Sequence, residues 1–143
     1  MKEVVVDASV AVKWVIEEEH GDQALSLLWC DRRHAPDHWL AEAANALWPR
    51  VLDGELTAED AEDRLGTLLG APVIGSPIAR LMPRAHAISV ARRVTIYNSL
   101  YVALAEKPAI PSVTADQVLI RPLSGDAALA QLVMWFGDID PEV

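Results

Sequence analysis

Cysteine is almost missing from this chain of 143 residues: Cys30 stands alone, with no partner for an internal disulfide. A single thiol without a C-x-x-C neighbour excludes a disulfide-stapled scaffold and fits a reducing compartment. No apolar run is long enough to cross a bilayer. Met1-Lys2-Glu3 passes straight into β-branched residues, without the regions of a secretory leader. The expectation is a cytoplasmic protein with no membrane contact. Positive charge is scarce as well, with 12 Lys and Arg against 21 Asp and Glu and a net charge of −9. A general nucleic-acid binder is usually basic, so a nucleic-acid substrate here requires metal ions or a local basic patch. Arg32-Arg33 and Arg92-Arg93 are candidate patches, or equally solvated helix ends. There is no Gly-Lys-Ser/Thr phosphate loop, no G-x-G-x-x-G and no G-x-S-x-G elbow, which removes the usual signatures of three large enzyme classes. His34 and His38 are four apart, but Pro36 between them argues against one helix face and hence against a zinc site. Linkers, repeats and low-complexity segments are absent too, so residues 1–143 read as a single domain.

What is present is an apolar fraction of 52%, ample for a core, organised around Glu3-Val4-Val5-Val6-Asp7-Ala8-Ser9. Three consecutive valines read as a short buried strand. Ser9 is placed to cap an apolar helix over 10–16. Asp7 ends the strand, where open α/β sheets gather their chemistry, although a turn or cap role alone explains it equally well.

A second helix is expected over 23–31, and a short extended segment at Arg33-His34-Ala35. Asp37 is a natural N-cap for a long helix running to Asp53-Gly54, with Leu40, Ala43, Ala44, Leu47 and Val51 as its stripe. Pro49 should kink it. Helical phase leaves Glu42 off that stripe, where solvent exposure is the default. Thr57 followed by Asp60 resembles a capping box for a helix to about Leu69. Residues 72–75 read as a third strand and 78–92 as helical, with a break at Pro83. Thr95 caps a helix through Glu106, which puts Asn98 in its first turn, where the dipole favours an anion. Residues 110–114 form a fourth strand and 132–136 a fifth. The five tryptophans read as core or interface anchors. This alternation predicts an α/β fold with a parallel sheet covered by helices on both faces.

Asp7 follows the first strand, Asp116 follows the fourth, and Asn98 opens the helix before it. The ends of strands one and four can be neighbours where strand order reverses. Carboxylates meeting there repel unless a hard cation neutralises them, and oxygen donors suit Mg2+ or Mn2+.

Four blocks of the chain resemble the signature blocks of PIN-domain proteins, most closely VapC-type toxins of bacterial toxin–antitoxin pairs. They are Val5-Val6-Asp7-Ala8-Ser9-Val10-Ala11-Val12-Lys13-Trp14, Ala35 to Trp48, Thr95 to Glu106, and Val113-Thr114-Ala115-Asp116. They come in family order and span nearly the whole chain. The resemblance implies a PIN-like three-layer α/β/α fold with a five-stranded parallel sheet. It implies a Mg2+- or Mn2+-dependent endoribonuclease, a homodimer, and a cognate antitoxin that covers the cleft. By motif match Asp7, Glu42 and Asp116 take the family's acidic positions, which moves Glu42 from presumed solvent into the site. Ser9 and Thr114 match positions that support the acids, and Asn45 a polar position nearby. Asn98 departs from the pattern, for the family has aspartate there. Asp7, Asp116 and Asn98 would be the metal ligands, one charge short, and impaired cleavage is expected.

Three functions compete. One is metal-assisted hydrolysis of RNA phosphodiesters. Another is a binding module that holds antitoxin or RNA without cutting it. The third is a receiver-type signalling domain, although such a pocket would want paired acids after strand one, and Val6 precedes Asp7.

Overall fold

A computed structural model describes residues 1–142. The valine run forms β1 (Glu3–Val6), with Val4, Val5 and Val6 at most 1% exposed. α1 (Ala8–Ala11) follows at once and continues as a 3-10 turn over Val12–Trp14. Ser9 does not cap it. Asp7 does, accepting a 2.8 Å hydrogen bond from the Ser9 amide. The helix starts at Ala8, two residues earlier than expected, so Asp7 holds the cap position and Ser9 falls inside the first turn.

α2 (Gly21–Ser26) is shorter than the sequence suggests and tightens into a 3-10 turn at Leu27–Trp29. β2 (Arg32–Pro36) then leads into α3 (Trp39–Leu52), which runs through Pro49. The expected cap is displaced here as well. The Asp37 amide stays on the sheet, donating to the Ser76 carbonyl, and its carboxylate lies over Gly75. His38 therefore holds the cap position, without a side-chain acceptor. α4 (Ala58–Leu69) opens with the anticipated Thr57/Asp60 capping box. β3 (Val73–Ser76) precedes α5 (Ile78–Arg92), which does not break at Pro83. The proline forfeits one backbone bond, and the burial of Ala85 and Ile88 against Leu100 and Val102 outweighs it. α6 (Ile96–Glu106) is capped by Thr95 as expected. β4 (Ser112–Thr114), α7 (Ile120–Leu123), α8 (Ala127–Leu132) and β5 (Val133–Trp135) complete the chain.

The five strands are all parallel, in the order β3-β2-β1-β4-β5, and helices flank the sheet in an α/β/α arrangement. That order differs from the 2-1-3-4-5 of receiver-type domains. β1 and β4 pair directly, with Val6 opposite Val113, so the chain reverses direction across the sheet between them. Their carboxyl ends form the crevice in which such folds bind ligands. A small satellite core of Val12, Ile16 and Leu47, packed against Leu56, Ala61 and Leu65, holds the α3–α4 arm beside α1. No helix among the described residues is long and apolar enough to cross a membrane.

Of the five tryptophans, Trp39 is buried, Trp14 and Trp135 are half-buried, and Trp29 and Trp48 are 88% and 61% exposed.

Candidate active site

Asp7, at the end of β1, is buried. Its carboxyl titrates near 6 rather than 3.8, chiefly because burial disfavours the charge; the Ser9 bonds pull it down, and the negative Glu42 and Asp116 push it further up. Asp7, Glu42 and Asp116 thus share one electrostatic environment at the crevice.

Glu42 enters from the first turn of α3. Its Oε1 accepts a 2.6 Å hydrogen bond from the Tyr101 hydroxyl, and His38 Nε2 lies 3.0 Å from the same oxygen, one turn back. The contact is close but poorly aligned, for both His38 ring nitrogens are buried without a well-directed hydrogen-bond partner. Burial alone would raise the Glu42 carboxyl, but His38 and Tyr101 outweigh it and hold the group below its usual range. Helical phase had directed this glutamate to solvent. A neighbouring helix instead supplies a phenol to meet it.

Tyr101 is the residue that sequence reasoning missed. It is 1% exposed, and its hydroxyl also accepts from the Ala8 amide at 3.3 Å. One oxygen therefore ties α3 to the residue after Asp7. Burial first, then the charges of Asp7 and Glu42, push the phenol far above its usual range, so it remains a donor. Two spacings could have pointed here. Tyr101 lies three residues after Asn98 and His38 four before Glu42, each pair sharing a helix face.

Asn98 sits in the first turn of α6, its amide donating to Thr95 Oγ1 at 3.2 Å. Its side chain is half-buried, one turn before Tyr101. At the other wall, Asp116 follows β4 and caps the next turn, Oδ1 accepting from the Val118 amide at 2.9 Å. Thr114 Oγ1 accepts from the Asp116 amide at 3.0 Å, and Ser9 Oγ accepts from the Ala115 amide at 3.1 Å. The Ser9 hydroxyl thereby ties the β1 end to the β4 end, while Thr114 shapes the turn that carries Asp116. Asn45 is exposed one turn beyond Glu42.

Among the described residues no three His, Cys, Asp or Glu side chains are gathered closely enough to hold a metal ion ready-made. The donor chemistry nevertheless fits a hard divalent cation: every candidate ligand is an oxygen, and a dication would stabilise the charge that burial and the neighbouring acids disfavour at Asp7. Of the two basic pairs, Arg33 does not serve the surface. It is buried, with Nε on the Pro72 carbonyl and Nη1 on the carbonyls of Leu27, Leu28 and Cys30.

Residues 4–122 match the PIN domain family. Ribonuclease VapC3 of Pyrobaculum aerophilum is 32% identical over 120 residues, which is 81% of this chain and 91% of that protein. Among solved structures, PAE2754 from Pyrobaculum aerophilum superposes with a TM-score of 0.63 at 24% identity, covering 91% of this chain and 88% of that one. A toxin–antitoxin complex from Klebsiella pneumoniae gives 0.59 at 13% identity, covering 96% and 97%. Mycobacterium tuberculosis VapC20, described as a sarcin–ricin loop cleaving toxin, gives 0.57 at 18%, covering 76% and 86%. At these identities the structural likenesses speak for the fold.

Proposed function

The chain belongs to the PIN-domain family, as a protein of the VapC type, and on that premise we propose that it is a metal-dependent endoribonuclease whose activity is held down by Asn98. The observation that carries this reading is Asp7 buried at the end of β1, with Asp116 at the end of the paired strand β4 and the Ser9 hydroxyl joining the two strand ends. Acids at the carboxyl ends of adjacent parallel strands fit a site that is completed by a cation. The relative named Ribonuclease VapC3 supports RNA as the substrate.

Asp7, Asp116 and Asn98 would hold Mg2+ or Mn2+, with Glu42 holding or orienting beside them. When bound, such an ion polarises a phosphoryl oxygen and makes water a better nucleophile. The protein's own groups do the rest. Tyr101 and His38 keep Glu42 ionised and engage Oε1, which leaves Oε2 to accept a proton or orient water. The capped start of α6 turns its amides and positive dipole end outward, favouring a phosphate there. Ser9 joins the strand ends that carry Asp7 and Asp116, and Thr114 fixes the turn into Asp116.

Cleavage of RNA in magnesium, compared between this chain and Asn98→Asp, tests the proposal. A gain in the variant supports it. No cleavage by either protein favours the second reading, a module that binds antitoxin or RNA without cutting, which the neutral Asn98 side chain itself supports.

The same reading includes a cognate antitoxin, in line with the fold neighbour described as a toxin–antitoxin complex. An arginine from its segment would pair with the acids in place of the metal. Trp39, buried at 5%, is not available to it. Trp48 and Leu52, one turn apart on α3 and 61% and 66% exposed, are. A co-encoded small protein that fails to co-purify overturns this partner. The proposal also takes the protein as a homodimer, and light scattering that finds a monomer at every concentration overturns that.

A further inference from the structure

Arginines carry most of the positive charge of this chain, and most of them are already engaged. Arg33 is buried on four carbonyls. Arg50 pairs with Glu18 and Glu55, Arg84 with Glu106, and Arg32 lies 3.7 Å from Glu3. Arg64 donates to the Val15 carbonyl. Among the described residues, Arg80, Arg92, Arg93 and Arg121 have no such partner. The last three line a single cavity of about 560 Å3 with Gln117, Val118 and Pro122.

The position of this cavity gives it meaning. Its wall begins one residue after Asp116, and Asp116 Oδ1 is bonded to the amide of Val118, whose side chain is 77% exposed. Arg93 ends α5 in a left-handed conformation, φ 57°, and is exposed. Arg92 Nη1 lies against Gly125, where a Cβ would press on it. Arg121 projects from α7, exposed. A chain of net charge −9 repels a polyanion over most of its surface. Three guanidiniums without a carboxylate partner place positive charge beside the acidic crevice, and the guanidinium fork matches phosphate oxygens.

We propose that Arg92, Arg93 and Arg121 form a phosphate-binding cavity that holds the RNA backbone on the Asp116 side of the crevice, next to the position that is cut. This rests on the reading of the protein as an RNA-cleaving enzyme. The arginines neutralise the strand and set its register, while sequence is read elsewhere.

The test is binding of a labelled single-stranded RNA to the full-length chain in EDTA, across a salt series. Arg92 is left in place because it packs against Gly125. The double substitution Arg93→Gln/Arg121→Gln should weaken binding on the order of tenfold. It should also flatten the plot of log K against log salt by about 1.4, roughly 0.7 for each phosphate that is no longer neutralised. Arg32→Gln/Arg80→Gln removes the same charge elsewhere and should leave both quantities near those of the parent. Val118→Glu, at an exposed site that does not disturb folding, should weaken binding at least as much as the double arginine variant. An equal loss in the Arg32/Arg80 control, an unchanged salt slope, or a parent chain that binds no RNA each overturns the cavity. The two readings separate in the Asn98→Asp background. RNA cleavage undiminished by the arginine substitutions removes the cavity and keeps the nuclease. Arginine-dependent binding without any cleavage keeps the cavity and removes the nuclease.

Discussion

The Tyr101 hydroxyl donates a 2.6 Å hydrogen bond to Glu42 Oε1 across 59 residues of chain, and it accepts from the Ala8 amide at the same time. Tyr101→Phe removes the donor and leaves a partly buried carboxylate short of a partner. Stability should fall by about 1–3 kcal/mol, read as a lower midpoint in urea. The Glu42 carboxyl should rise, since one of the bonds that lower it is gone; NMR titration of the glutamate carboxyls checks that. An unchanged Glu42 titration would mean that Tyr101 does not hold it.

Asp7 gives the metal-free protein a specific dependence on pH. Its carboxyl titrates near 6 when folded and near 3.8 when unfolded. Between these values the folded state binds the proton more tightly. Stability in EDTA should therefore decline as pH rises from about 4 to about 6, by roughly 3 kcal/mol, and stay lower above that. Glu42 acts in the opposite sense: its lowered carboxyl adds stability that is lost as pH falls through its folded value. Asp7→Asn should flatten the decline between pH 4 and 6, while its amide oxygen can still accept from Ser9. Denaturant melts at a series of pH values decide the matter, and an identical slope in the variant would count against a buried, raised Asp7.

Asn98→Asp adds a charge to an environment that already raises Asp7. In EDTA the variant should be less stable near neutral pH by an amount on the order of 1 kcal/mol. A first-turn aspartate gains roughly 0.3–1 kcal/mol from the helix dipole, which offsets part of that loss. The response to metal is the more diagnostic readout. A charged oxygen binds a hard dication more tightly, so the variant should gain more melting temperature from added magnesium or manganese. Equal metal-induced shifts in the two proteins would remove position 98 from the site.

Arg33→Met tests a structural role against a nucleic-acid role. Four carbonyls lose their donor in a buried place. The loss should be about 3 kcal/mol or more, with RNA binding of the folded fraction unchanged. A well-folded variant with weakened RNA binding would return Arg33 to the surface patch.

Much of this architecture is written locally. Three β-branched valines in a row are enough to make β1 a buried strand. Thr95 and Thr57 reach only three residues ahead to cap their helices, so their roles are legible in sequence spacing. The family blocks singled out Asp7, Glu42, Asn98 and Asp116 together, and the alternation of strands with helices required a parallel sheet. Other features belong to no single segment. Asp37 loses its cap because its amide is held on the Ser76 carbonyl of a neighbouring strand. Pro83 fails to break α5 because burial against α6 outweighs one missing bond. Arg33 is charged and next to Arg32, yet it is buried because the carbonyls it satisfies converge on it only in the folded chain. Glu42 is solvent-facing by helical phase, and the partner that draws it inward, Tyr101, arrives from a helix 59 positions away. Caps and strand propensities act over three or four residues of backbone. Burial, charge repulsion and shared hydrogen bonds depend on distance in space, which the packing of the sheet and helices sets.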